Sequence, residues 1–559
     1  DLFRGLQQGI ARALGLTLPA KARIFVAAGE RLFLDITGMF RRTFGRLILR
    51  TFVGAIDPVT GEALESLWDD PRLSIRASRM RIGTLLRLVR RLAPLIANIL
   101  YCQITPSRGR ARVQRRIDAV VSAVSARSAR TTTLAEQVAL FDETLAQQPL
   151  ALLPYLLAGI ISGQMAQQML IRLAAGLPDG LQIALELTRA LPHNPTTEMD
   201  LSLWAAARTI RDDRVAAKHF AQADPATLAT EYLAGALPAT AQATVTAFMA
   251  QYGMRGIGEI DLGRPRWREE PAHIMQILKN YLLVEDEATS PEAVFQRGAD
   301  RAQAAQEQLI DALRQTPRGR LKAFLARRLA RRARELGGLR ESPKFAIIRL
   351  FGVLREMLLG RGRQLVAAGV LTQADDVFFL HLPELRALAA GDWRDWRSLV
   401  AERRQAYDRE KRRPRSPRLL FSDGTAFYER AQKPEQSGAD IIVGSPVSAG
   451  IAEGTVHVVL DPHGTRLTPG EILVCPATDP AWTPLFLTAG GLVTEVGGMV
   501  SHGSVVAREY GIPAVVGVAQ ATARLKTGQH IRIDGSTGQI VILEAADTGR
   551  ITNNGHDRL

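Results

Sequence analysis

From the first residue to about residue 410 the apolar positions recur at intervals of three and four, dominated by leucine and alanine. That is the period of helices that bury one face. Clear cases run from Arg79 to Tyr101, Leu134 to Ala146 and Phe345 to Ala368. Two short exceptions, Ala22 to Val26 and Arg31 to Leu34, predict a small hairpin turning over Ala27 to Glu30. The longest unbroken apolar run, Pro149 to Ile161, falls short of the ~18 residues of a spanning helix and is interrupted by Pro154, so it predicts a buried core helix.

The character changes after residue 411. Arg412 to Asp440 carries Pro414, Pro417, Pro434, Gly424 and Gly438 amid mixed charge, the composition of an extended linker. From Ile441 the period is that of strands separated by turns: Thr455 to Leu460, Ile472 to Cys475, Leu492 to Thr494, Ala514 to Val516, Ile531 to Asp534 and Ile540 to Leu543. Helices are predicted after Asp479-Pro480, an N-cap followed by proline, and after Ser501. The chain therefore reads as multidomain: a large mainly α-helical domain over 1–411, a linker over 412–440, a small α/β domain over 441–545 and a polar tail over 546–559 that is expected to fray.

Composition narrows the function. The 559 residues, 46% hydrophobic and 23% charged, suffice for more than one core. A formal charge of +15 raises nucleic acid as a partner. The arginines, however, are spread over many helices, as in Arg327 to Glu335, and the 6% of aromatic residues do not interleave with them. No base-stacking platform results, the basic runs read as solvated helix faces, and nucleic acid is not expected. Cys102 and Cys475 are too few and too far apart for a disulfide framework or a multi-cysteine metal site, which fits a reducing cytoplasm, and Cys475 reads as a buried strand residue. No charged and then apolar leader opens the chain, so neither secretion nor a membrane is expected. The chain starts at Asp1 without methionine and is expected to be a fragment of a longer polypeptide.

The most informative run is Gly497-Gly498-Met499-Val500-Ser501-His502-Gly503-Ser504, followed by an apolar helix and Gly511-Ile512-Pro513. The glycine pair permits a sharp turn and Ser501 is a good N-cap. The His502 imidazole then stands at the positive end of a helix dipole, where backbone N–H groups bind phosphoryl oxygens and a mostly neutral ring can attack phosphorus. Residues 497 to 517 resemble the phosphohistidine signature of the phosphoenolpyruvate-utilising enzymes, in which a histidine carries a phosphoryl group between two distant sites. Ser501 directly before the histidine, with Val500 in place of a hydroxyl two before it, is more similar to the rifampicin phosphotransferase branch than to the pyruvate-handling members.

That resemblance extends through Gly444 to Gly450, Thr478 to Pro484, Arg23 to Thr37, His193 to Asp200, Gly253 to Asp261 with Arg264 to Trp267, and Asp375 to Leu380. It implies a swivelling phosphohistidine domain at the C-terminal end and a helical acceptor domain before it. Too little chain follows Leu543 for a pyruvate barrel. It also implies ATP and Mg2+ bound on an ATP-grasp module, and residues 1 to 440 offer no glycine-rich loop backed by lysine and metal-binding carboxylates. The run Gly253 to Gly258 reads as a turn between helices. The ATP-grasp domain is therefore expected on a separate subunit or an upstream part, and no metal site is assigned to this chain.

The expected activity is transfer of a phosphoryl group from ATP through His502 to a hydroxyl of a small, apolar molecule. The alternatives are a phosphocarrier subunit of a two-component dikinase-like synthase and a non-catalytic basic binding protein. Phosphoryl transfer needs cations around the equatorial oxygens and a base for the acceptor proton. Arg255, Arg264 and Arg266 are candidate clamps, Glu198 or Glu259 the base or a metal ligand, and Gly498 and Ser501 the phosphate loop. Each has a structural alternative: the arginines can pair with Asp261, Glu269 or Glu270, and Glu198 can satisfy backbone after Thr196-Thr197. Glu509 can orient the ring or pair in solvent, and Arg508 reads as structural.

Overall fold

The computed structural model describes residues 25–544 apart from 44, 48, 50–57, 76–81, 285–286, 393, 414–416, 428–440, 463–464, 466, 479–481, 487 and 499–500. The start of the first predicted strand, much of the predicted linker, the Asp479-Pro480 cap and the tail lie outside the described residues. The chain divides into two compact units. One comprises Asp1–Leu47 and Asp69–Ser416; the other comprises Ile48–Trp68 and Pro417–Leu559.

The first unit is helical apart from one hairpin, β1 (Phe25–Ala28) and β2 (Arg31–Leu34), paired from Phe25↔Leu34 to Ala28↔Arg31. Gly29 and Glu30 both have positive φ, 54° and 53°, as a two-residue hairpin turn requires. In chain order the described helices are α1 (Thr37–Phe40), α2 (Pro58–Glu65, in the second unit), α3 (Ile82–Ile104), α4 (Pro106–Ser128), α5 (Leu134–Ala174), α6 (Gly180–Glu186) and α7 (Pro195–Asp212). They continue as α8 (Arg214–Gln222), α9 (Pro225–Ala234), α10 (Ala239–Tyr252), α11 (Ala272–Leu282), α12 (Pro291–Arg314), α13 (Gly319–Gly337), α14 (Ser342–Ala367), α15 (Leu382–Ala389) and α16 (Trp396–Lys411).

Helix α5 departs from expectation. Instead of ending near residue 146 and resuming, it runs 41 residues through Pro149 and Pro154. Thr133 opens it with a full capping box, its hydroxyl accepting from Glu136 N and the Glu136 carboxylate accepting back. Each proline removes one helical hydrogen bond, and burial of Leu152, Leu156 and Ala158 holds the helix together across them. By length and composition α5 alone among the described helices is long and apolar enough to cross a membrane. In this fold it is the central core helix, packing along α13, α3, α4 and α6. Its Gly159 and Gly163 let the chain at the end of α13 approach closely: a Cβ on Gly159 would lie 2.6 Å from Leu339 Cδ1, and one on Gly163 3.2 Å from the Leu336 carbonyl.

The arginine-rich α13 is only partly a solvated face. Arg327, Arg328 and Arg331 are exposed. Arg332 Nη2 donates to Gln103 O at 2.6 Å, and Arg334 donates to the carbonyls of Leu187, Arg189 and Ala190, gathering unpaired oxygens just beyond α6.

In the second unit, β3 (Leu419–Leu420) and β4 (Ala426–Phe427) form a two-stranded ribbon inside the stretch that reads as linker. The remaining strands are β5 (Ile441–Val443), β6 (Ser445–Ser448), β7 (Ile451–Val458), β8 (Ile472–Cys475), β9 (Gly491–Thr494), β10 (Ala514–Val516), β11 (His530–Asp534) and β12 (Gln539–Glu544). They make one mixed sheet in the order β5-β12-β11-β7-β8-β9-β10-β6, parallel from β7 to β10 and antiparallel elsewhere. The two edge strands are joined by Gly444 alone, so the sheet curls round on itself. Alternation builds two cores. Ile472, Val474, Val493, Val515, Ile531 and Ile533 fill one face. Leu473, Cys475, Leu492, Ala514 and Val516 face the other, covered by Trp482, Leu485 and Phe486 around α17 (Thr483–Phe486) and by Val506 and Ala507 of α18 (His502–Tyr510). The short α19 (Ala521–Arg524) closes the first face. Cys475 is fully buried in β8 and its thiol pKa is pushed up by that burial.

Candidate functional site

His502 is the first residue of α18, the crossover helix between the parallel neighbours β9 and β10. It therefore stands beyond the carboxyl end of a parallel strand, where open α/β sheets place their ligands. Its side chain and that of Glu509 lie outside the described residues. Ser501 is the N-cap in extended backbone, φ −68° and ψ 159°, yet its hydroxyl makes no capping bond. It lies 2.8 Å from Ser504 Oγ, which in turn donates to Gly498 O at 2.8 Å, while Ser501 N donates to the same carbonyl at 2.9 Å. The loop is thus braced by hydroxyls that bond to one another and to the Gly498 carbonyl.

Two glycines are fixed by close approach. A Cβ on Gly503 would lie 2.5 Å from Thr478 Oγ1, and one on Gly497 would lie 3.0 Å from Ser501 Oγ. At the far end Gly511, φ 72°, terminates α18, with Ile512 N donating to Ala507 O at 2.8 Å as in a Schellman motif. Arg508 donates from Nη1 to Val447 O at 3.1 Å and so ties α18 to β6.

In the helical unit three of the candidates meet in one buried knot. Arg255 Nε and Nη2 donate to Glu259 Oε2 and Oε1 at 3.2 and 3.3 Å, Lys344 Nζ lies 3.1 Å from Glu259 Oε1, and Arg255 and Glu259 are 2% and 1% exposed. Burial alone raises the Glu259 pKa, but Arg255 and Lys344 outweigh it and hold the carboxyl at about 2. Arg266, 1% exposed, donates from Nη1 to Glu259 O and from Nη2 to Asp261 O. Its burial lowers the guanidinium pKa to about 10, which leaves it charged at neutral pH. The segment Gly253–Arg268 is more than a turn between helices: it folds back on itself, with Trp267 N donating to Arg255 O and Arg268 N to Gly253 O. Arg255 and Arg266 thus turn onto their own loop, and Arg255 Nη1 also donates to Met199 Sδ of α7 at 3.4 Å. Arg264 stands apart, its Nε 3.9 Å from Asp261 Oδ2.

Glu198 is elsewhere. It sits in the first turn of α7, 54% exposed, and does not cap the helix. Asn194 does that, accepting from Thr196 N at 3.0 Å. Glu198 lines a cavity of about 480 Å³ in the helical unit, together with His193 and Tyr252. His193 Nδ1 is 3.7 Å from Glu198 Oε1, and the His193 backbone is left-handed at φ 65°. Burial and the Glu198 charge push the Tyr252 phenol up to about 12, so it stays a donor.

Apolar surface comes from Leu339, Phe345 and Val353. Arg110, Arg268 and Arg349 line it too, each held by a carboxylate: Glu335 at 2.9 Å, Glu356 at 3.1 Å and Asp118 at 2.6 Å.

Sequence reasoning passed over His193, Tyr252 and Lys344 as functional positions. The available signals were a histidine directly before an Asn-Pro helix start and one of eight lysines in an arginine-dominated chain.

Comparison with known proteins assigns both regions. Residues 151–341 match the model described as the rifampicin phosphotransferase fourth domain, and residues 467–538 match the mobile domain of PEP-utilising enzymes. The chain is 39% identical over 361 residues to a rifampicin phosphotransferase of Streptomyces sviceus and 36% identical over 361 residues to one of Bacillus cereus, in each case across 64% of this chain. It is 29% identical over 308 residues to a prodigiosin synthesizing transferase of Serratia marcescens, 54% of this chain and 33% of that protein. The chain spans 41% of the length of the two rifampicin phosphotransferases. The resemblance read from the residues around His502 thus holds at the level of these matched stretches.

Proposed function

We propose that this chain is the carrier and acceptor part of a phosphotransferase, in which His502 takes a phosphoryl group that originates on ATP and passes it to a hydroxyl of a small molecule held by the helical unit. The observation that carries this reading is the setting of His502: the first residue of a helix after a parallel strand, behind a hydroxyl-braced glycine loop, in a stretch that matches the mobile domain of PEP-utilising enzymes. The match of residues 151–341 to a rifampicin phosphotransferase domain supports a small-molecule acceptor.

Mg-ATP belongs in this reading to an ATP-grasp module, separate or on a longer form of the same polypeptide, which supplies the phosphoryl group. Among the described residues no group of three or more His, Cys, Asp and Glu side chains is placed to hold a metal. The chemistry assigned to this chain is that of the imidazole and its surroundings. A covalent carrier splits one transfer between distant sites into two displacements. The mobile domain swivels between those sites, in the cytoplasm. Arg255, Glu259 and Arg266 shape the acceptor unit, and Arg264, 35% exposed, is the least enclosed arginine of the predicted set.

The test is to incubate the chain with ATP labelled in its phosphoryl groups, with and without an ATP-grasp protein of this family. Acid-labile label that needs the second protein and vanishes in His502→Ala is the expected result. Label that survives His502→Ala rejects the reading.

A further inference from the structure

We infer that the cavity beside α7 is the acceptor site and that His193 is the base that receives the acceptor's hydroxyl proton, with Glu198 orienting its ring. The inference rests on the phosphohistidine reading of His502. Three observations carry it.

First, His193 is held in a backbone conformation that histidine seldom adopts, φ 65°. Gly338 allows the close approach of this loop: a Cβ there would lie 2.3 Å from Pro192 O and 2.7 Å from the His193 carbonyl carbon. The strain is kept at a cavity wall and is not released.

Second, Nδ1 lies 3.7 Å from Glu198 Oε1. A proton on Nδ1 facing this carboxylate leaves Nε2 as the proton acceptor. The other titratable groups of the wall are Tyr252 from α10, Arg110 and Asp118 from α4, Arg349 and Glu356 from α14, and Arg268. Each of these arginines already has an acid partner. Glu198 is therefore the carboxylate left to the histidine.

Third, paired charges give the cavity little net field, its volume of about 480 Å³ is that of a small-molecule site, and Leu339, Phe345 and Val353 give it apolar surface. The acceptor class is a bulky molecule with a hydroxyl, an apolar flank and little net charge.

In the step, the acceptor oxygen bonds to phosphorus as its proton moves to His193 Nε2. The P–N bond to His502, whose other ring nitrogen carries a proton, breaks, and the electron pair returns to the ring, which leaves as neutral imidazole. His193, 35% exposed, then loses the proton to solvent.

For the test, the full chain is loaded with labelled phosphoramidate and its single-turnover discharge to rifampicin is followed from about pH 5 to about pH 9. His193→Asn tolerates the left-handed backbone but is no base. It should discharge about 100-fold slower and lose the histidine inflection, while rifampicin affinity, read by tryptophan quenching, stays within about threefold. Glu198→Gln should slow discharge about tenfold. His193→Gly should regain at least about tenfold in rate with added imidazole, which a merely structural role does not allow.

Discharge by His193→Asn within about threefold of the parent and with the parent's pH profile overturns the inference. So does a failed imidazole rescue, and so does a loaded parent chain that keeps its label in the presence of rifampicin. Label on His502 with discharge indifferent to His193 rejects this assignment alone. Label unaffected by His502→Ala rejects the phosphohistidine reading and this inference with it.

Discussion

Glu259 keeps its negative charge where water scarcely reaches, because Arg255 and Lys344 approach it on two sides. Its folded pKa, about 2, lies below the ordinary 4.5, so its stabilising contribution is complete above about pH 4.5 and is lost as pH falls through that range toward 2. The shift corresponds to on the order of 3 kcal/mol. Glu259→Gln leaves Arg255 buried without its counter-charge and should destabilise the helical unit by ~3–5 kcal/mol at neutral pH, read in urea unfolding by tryptophan emission. The variant should also lose the part of the acid slope between about pH 4.5 and about pH 2 that the parent shows. A parent and variant with the same acid slope would refute the assignment. At this scale the sequence was only half legible. Arg255, Glu259 and Arg266 look like clamps and a base because charge near glycines suggests a ligand, but nothing in their spacing reports that they turn inward onto one another. Glu198 was read from the segment His193 to Asp200 and faces a cavity.

Helix α18 depends on a close contact that no periodicity records. Gly503 sits against Thr478, and the missing Cβ is what lets the helix start so near that loop. Gly503→Ala forces Thr478 or the first turn aside, and overpacking of this kind costs ~1–3 kcal/mol. Chemical phosphorylation of His502 by phosphoramidate should slow by about tenfold or more, because the first-turn amides no longer converge on the phosphoryl group. Adding Thr478→Ala should return the rate to within about twofold, since the two changes share one contact. Slow loading in the double variant would count against the packing argument.

Elements themselves were the most legible level. Strands β8, β9 and β10 emerge from short apolar runs, and β7 and β11 from alternation, to within a few residues. Strands β5 and β6 were missed because Gly444 alone separates them and β6 contains Pro446. Helix α5 was cut short because proline is a local signal, and tertiary burial of its flanks overrides it.

For the whole molecule, the change of period near residue 411 announced two architectures, but not that Ile48–Trp68 joins the second unit, where Arg418 Nη1 donates to Thr60 Oγ1 at 3.3 Å. Long-range assignments of this kind leave no mark on local spacing. Their energetic weight can be judged from the cores. Among the described residues, the buried side chains that fill the two faces of the mixed sheet lie between Ile442 and Ile540, with Ile542 packed against one of them. A fragment of residues 441–545, about a hundred residues with its own core, is the size of an independent domain. It should unfold in one cooperative thermal transition and take phosphate from phosphoramidate at His502 at the rate of the full chain, because the helix start, the hydroxyl brace and the Thr478 contact are all inside it. A fragment that binds a hydrophobic dye and melts without a transition would mean that 48–68 or 417–427 completes the fold. The carrier could not then be the self-contained swivelling body that relay between distant sites requires.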